Sequence, residues 1–183
     1  MSRAFIDESA SQYNEEEPPE LKVPLPAGAR NYMTPQGARR MREELDGLVA
    51  VERPRIKAEA ARMEAAGSAA DKAVLAALRK RLREMERRID YLSRMAAVTE
   101  VVDPRAQSPD RVAFGATVTV ADGGGGESVY RIVGVDESDP ARGMVSWISP
   151  IARALVSRRA GERVTVKLPA GEKSLRVVKV EYT

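Results

Sequence analysis

Ala65-Ala66-Gly67-Ser68-Ala69-Ala70-Asp71 separates two stretches of helical periodicity. Gly67 supplies a helix stop. Ser68 and Asp71 have the spacing of a capping box, with the hydroxyl at the N-cap and the acid near the positive helix end. Upstream, Thr34-Pro35 opens a helix, because threonine caps well and proline is tolerated in the first turn. Met41, Leu45 and Leu48 follow at helical spacing, and the apolar line resumes at Ile56, Ala60 and Met63. Pro54 interrupts it and should kink the helix or shift its register. Downstream, Leu75, Leu78, Leu82, Met85, Ile89, Leu92 and Ala96 alternate steps of three and four, a heptad seam. Two such arms joined by a short turn predict an antiparallel coiled-coil hairpin. Arms of about thirty residues would extend ~45 Å.

The helical pattern ends at Val98–Pro104, and Arg105-Ala106-Gln107-Ser108-Pro109-Asp110 is a linker. Strand alternation begins in Ala113–Val120, turns at Gly123-Gly124-Gly125-Gly126 and returns through Ser128–Val135. Met144–Ile148, Val164–Leu168 and Ser174–Val180 read as further strands, and Pro150–Ser157 as a short helix capped by Ser149. This predicts a small antiparallel sheet with one covering helix, and so an α+β chain. Residues 1–30 are acidic and proline-rich and predict a disordered or extended tail. The expected organisation is a tail over 1–30, a hairpin over 31–102 with its tip near 65–71, and a β-rich domain over 103–183.

The 183 residues include no cysteine and no histidine, which removes thiolate chemistry, Ser-His and Cys-His nucleophiles and zinc sites. No window approaches the ~20 apolar residues that span a bilayer. The N-terminus has no apolar signal core, so the expected location is cytoplasmic. Charge is uneven. Residues 1–33 hold three basic and six acidic side chains, whereas residues 72–94 hold eight basic and three acidic ones. A basic second arm suggests a polyanionic neighbour or an acidic protein groove.

The order and spacing of several motifs resemble the bacterial transcript-cleavage factors GreA and GreB, and GreB more closely. Thr34-x-x-Gly37-x-x-x-Met41-x-x-Glu44-Leu45 is similar to the family's opening, and Glu52-Arg53-Pro54 to a GreB-like feature of the first helix. Arg79-Lys80-Arg81-Leu82-Arg83-Glu84-Met85-Glu86-Arg87-Arg88 is similar to the basic run of the second helix. Phe114-Gly115-Ala116-x-Val118 and Arg131-Ile132-Val133-Gly134-x-Asp136-Glu137 resemble the sheet signatures. Ser149-Pro150-x-Ala152-Arg153-Ala154-Leu155 resembles the family's C-terminal motif.

The resemblance implies an FKBP-like C-terminal domain docked on the rim of the secondary channel of RNA polymerase, with the hairpin threaded down that channel by a monomer. Trp147, Ile148, Ser149, Pro150 and Arg153 would belong to the docking loop. Arg79, Lys80, Arg81, Arg83, Arg87 and Arg88 would contact channel walls or backtracked RNA, or form a solvated face with Glu84, Glu86 and Asp90. The family's tip carries Asp-x-x-Glu, whose carboxylates help hold a second Mg²⁺ shared with the polymerase active site. Such a hard cation wants oxygen ligands.

The tip departs from that pattern. Ser68 falls where the family's first tip Asp stands, and Asp71 where its Glu stands. A hydroxyl does not replace a charged ligand, and the loss should cost on the order of 10²-fold in rate. Asp71 is either a helix-cap acid or a residual Mg²⁺-facing group assisted by Glu64. Ile148 stands where an Asp precedes Ser-Pro in the family. The first expectation is therefore a non-enzymatic regulator that occupies the channel and inhibits the polymerase or competes with active relatives. The alternative is a weakly active cleavage factor working through Asp71. A prolyl isomerase is disfavoured by a domain with only Phe114, Tyr130, Trp147 and Tyr182 as aromatics. A basic RNA binder unconnected to the polymerase is the remaining class.

Overall fold

The computed structural model describes residues 25–26, 28–66, 72–168 and 171–182. A short strand β1 (Asn31–Met33) leads into helix α1 (Pro35–Gly47). Thr34 caps that helix as the sequence predicts, its hydroxyl accepting from the Gly37 N–H at 3.0 Å. A π-helical segment, Leu48–Glu52, joins α1 to α2 (Arg53–Ala66). This is how the first arm accommodates Pro54. The proline has no N–H for the fourth carbonyl back, and its ring would collide with that carbonyl. Widening the preceding turn, with the Arg53 N–H bonded to the Leu48 carbonyl, shifts the register instead of breaking the rod.

Helix α3 (Lys72–Ala97) packs along α1 and α2. Rising numbers in one arm accompany falling numbers in the other. Glu44–Arg88 and Glu52–Arg81 form one series of ion pairs, and Lys57–Glu86 and Glu64–Arg79 another. The arms therefore run in opposite directions. Along α3, Leu75, Leu78, Leu82 and Ile89 are half-buried and Met85 and Leu92 buried, whereas Ala96 is exposed and Met95 packs inward in its place. After α3 the chain forms β2 (Thr99–Val101), which pairs parallel with β1 in the register Asn31↔Thr99 to Met33↔Val101.

The second half is a five-stranded sheet of order β5-β4-β3-β7-β6, made of β3 (Ala116–Asp122), β4 (Glu127–Val133), β5 (Met144–Ser146), β6 (Arg163–Leu168) and β7 (Gly171–Tyr182). Alternation along β3 buries Ala116, Val118 and Val120 against Ile132, Leu155, Val166 and Val177. Helix α4 (Pro150–Leu155) contributes Ala152 and Leu155 to this core. The sheet is not wholly antiparallel, as the sequence had suggested. β5 runs parallel to β4, because short 3₁₀ turns at Val135–Glu137 and Pro140–Arg142 bring the chain back beside Arg131, so that β5 pairs with the last three residues of β4.

Candidate functional site

The two halves meet at a buried carboxylate. Glu137 is 6% exposed. It accepts from the Thr34 N–H at 2.9 Å, from the Thr34 hydroxyl and from the Gly134 N–H at 3.1 Å. The guanidinium of Arg40 lies 4.0 Å away. A methyl group on Gly37 would sit 2.1 Å from the Glu137 carboxylate, so this glycine is required by close approach. The Thr34-x-x-Gly37 and Asp136-Glu137 motifs, far apart in sequence, are thus two halves of one contact. Two further contacts support it. The Tyr91 hydroxyl donates to Asp136 at 2.8 Å. The ring of Tyr32 packs edge-on against Trp147 at 5.3 Å and lies 6.0 Å from Phe114.

That joint fixes the base of the hairpin relative to the loop before α4. Ser149 caps α4, accepting from the Ala152 N–H at 3.2 Å. Pro150 and Arg153 are exposed on this loop and helix, whereas Ser149 is half-buried. Ile148 is 3% exposed and faces inward, so its apolar character serves the core. Trp147 is half-buried against the core, and its indole N–H is buried without an acceptor among the described residues. Of the five docking candidates, Pro150 and Arg153 present the most surface.

The six basic candidates on α3 divide into groups. Arg79, Arg81 and Arg88 bond across the hairpin to Glu64, Glu52 and Glu44. Arg88 and Glu44 make two bonds, at 2.7 and 2.9 Å, and the guanidinium lies 5.4 Å from the Tyr91 ring centroid. Hydrogen bonding to Glu44 raises the Arg88 pKa above its ordinary value, against the opposing effect of burial. These three arginines act first as staples between the arms. Lys80, Arg83 and Arg87 are exposed.

Ser68 and Asp71 lie outside the described residues. Glu64, the acid expected to assist Asp71, is engaged by Arg79. Among the described residues no group of three or more acids, cysteines or histidines is placed to hold a metal ion. Also among the described residues, no helix is long and apolar enough to cross a membrane.

Comparison with known proteins accounts for both halves of this architecture. Residues 31–101 match the family model described as transcription elongation factor, N-terminal, and residues 106–182 match transcription elongation factor, GreA/GreB, C-term. The chain is 38% identical to transcription elongation factor GreB of Neisseria meningitidis serogroup A, over 84% of this chain and 94% of that protein. It is 40% identical to transcription elongation factor GreA of Alkalilimnicola ehrlichii, over 88% of this chain and 99% of that protein. A solved structure, GreA factor homolog 1 of Thermus thermophilus, superposes on 84% of this chain and 99% of its own at 22% identity, with a TM-score of 0.37. Residues 1–30 lie before both family matches.

Proposed function

Since this chain belongs to the GreA/GreB family of transcription elongation factors, we propose that it is a cytoplasmic, monomeric regulator that occupies the secondary channel of RNA polymerase without promoting efficient transcript cleavage. In this reading the hairpin is an antiparallel coiled coil that enters the channel. The β-rich domain is FKBP-like and docks at the channel rim through Pro150 and Arg153, with Trp147 and Ser149 shaping the loop. Lys80, Arg83 and Arg87 face the acidic walls or the RNA.

One observation carries the non-cleaving part. Asp71 is the only acid in the turn sequence of residues 65–71, and Ser68 stands where the family places its first carboxylate. The pairing of Glu64, the next acid back along the first arm, with Arg79 is consistent with this.

The test uses RNA polymerase stalled in a backtracked complex. The expected result is no 3′-fragment release on adding the protein, together with slowed extension or blocked cleavage by an active relative. Prompt fragment release that disappears in Asp71→Ala would overturn the reading and establish a cleavage factor. Failure to recover polymerase on immobilised full-length protein would reject the channel reading altogether.

A further inference from the structure

We propose that the open edge of β6 receives an extended acidic polypeptide segment as an added strand, with Arg163 and Arg176 taking its carboxylates. The first observation is the edge itself. β6 ends the sheet order β5-β4-β3-β7-β6. The Val177 N–H donates to the Glu162 carbonyl at 2.9 Å, and the register then runs Arg163↔Arg176, Val164↔Leu175, Thr165↔Ser174. An antiparallel ladder alternates, so Val164 and Val166 exchange backbone hydrogen bonds with β7. The N–H and carbonyl groups of Arg163, Thr165 and Lys167 therefore point away from β7. No other described residue bonds to them. Such a row of unpaired backbone groups is the template that strand addition uses.

The second observation is charge on the outer face. Arg163 and Arg176 stand opposite each other at a non-hydrogen-bonded position, where Cα atoms approach to about 4.5 Å. Like charges so placed repel. Both residues are exposed, and neither guanidinium has a carboxylate partner among the described residues. Thr165 and Ser174 form the next row, and Lys167 beyond them is paired with Glu172 at 3.7 Å. The two guanidiniums thus offer a forked site for a carboxylate beside the edge.

The third observation is the inner face. Val164 and Val166 are buried there, and α4 packs against β6. Val156, at the C-terminal end of α4, is 39% exposed. Side chains of an added strand alternate between the two faces. One set would meet the arginines, and the other would extend the apolar layer beside α4. The fitting segment therefore alternates acidic and apolar residues. A second copy of β6 is a poor occupant, because it would bring its own Arg163 and Lys167 to a cationic edge. The loop at Trp147–Pro150 follows β5, at the opposite edge of the sheet. Strand addition at β6 is therefore independent of docking through that loop.

The test uses isotope-labelled full-length protein and a fluorescent peptide of about eight residues alternating glutamate and valine. A second peptide carries lysine for each glutamate, and a single-stranded RNA of similar length is the third probe. Anisotropy gives affinity, and amide exchange reports on the edge. The acidic peptide should bind with a Kd below about 1 mM, and about tenfold more tightly than the lysine peptide. Exchange at the Thr165 and Lys167 N–H groups should slow as it binds.

Arg163→Gln/Arg176→Gln should weaken binding about tenfold. Thr165→Pro should abolish it. Proline is tolerated on an edge strand where its nitrogen faces outward, so the urea midpoint should stay close to that of the parent. Equal affinity for the two peptides, no binding of the acidic one, or unchanged exchange at Thr165 and Lys167 would overturn the proposal. So would RNA held through Arg163 and Arg176 while the acidic peptide is ignored. Should Thr165→Pro fail to fold, the arginine variant and the exchange pattern decide.

Discussion

At the hairpin base, Met33, Met41 and Leu92 are buried together, and Glu137 is enclosed with its hydrogen-bond donors. Toward the far end of the same rod, Ala60, Met63, Leu75 and Leu78 are only half-buried, and the exposed Arg79–Glu64 pair joins the arms. The base is held by desolvated, directional contacts, which leave little freedom of angle. The far end is held by partial apolar burial and by charges that salt screens. A rod built this way is aimed by its base and can adjust at its end.

The largest expected effect comes from opening the base. Glu137→Leu leaves the Thr34 and Gly134 N–H groups without their acceptor and should destabilise the protein by about 3 kcal/mol, measured by urea unfolding. Gly37→Ala should act in the same direction, because its methyl group is driven into the carboxylate. If either variant unfolds like the parent, the joint is not the anchor described. A paired truncation compares the ends directly. Leu92→Ala should cost about 3 kcal/mol, and Leu78→Ala nearer 1 kcal/mol, because a half-buried side chain leaves a smaller cavity. Equal costs would erase the contrast.

Smaller again is the charge pairing at the far end. A double-mutant cycle on Glu64 and Arg79 should give a coupling below about 1 kcal/mol that disappears in high salt. A salt-resistant coupling would place that end in the same class as the base.

The smallest effect lies outside the hairpin, in the β3–β4 turn. The Asp122 carboxylate is held below the usual range by the Gly126 N–H and then by Lys173. A depressed folded-state pKa stabilises above the unfolded value of about 4, and that contribution is lost as pH falls through the folded value. Asp122→Asn should therefore flatten the acid limb of a plot of urea midpoint against pH. The Glu137 variants should leave that turn contribution intact.

Periodicity located both arms and the strands β3 and β4, the glycine run located the turn between those strands, and residue type located the caps at Thr34 and Ser149. Those are local patterns, each written within a few residues. The joint was not legible in that way. Strands of three residues such as β1 and β2 show no alternation to count, and nothing in Asp136-Glu137 alone announces that Thr34 is its partner. The motifs were visible separately, but their contact is a property of tertiary structure. Ile148 shows the same limit. Its place beside an exposed docking motif suggested a surface anchor, yet burial assigns it to the core. Similarly, the run from Arg79 to Arg88 reads as one basic surface, although three of its arginines turn sideways to bind the opposite arm.

The π-helical turn at Leu48–Glu52 sets a phase between two rigid lengths of the first arm. It holds one residue more than an α-turn needs, and Val51 within it is 64% exposed. The wide turn absorbs that residue's ~100° of rotation, so Ile56 stays on the seam in phase with the base. Deleting the residue would leave this phase unchanged but would press the Pro54 ring against the fourth carbonyl back. The far half of the rod thus stays aligned with its anchorage because one turn is wider than the rest.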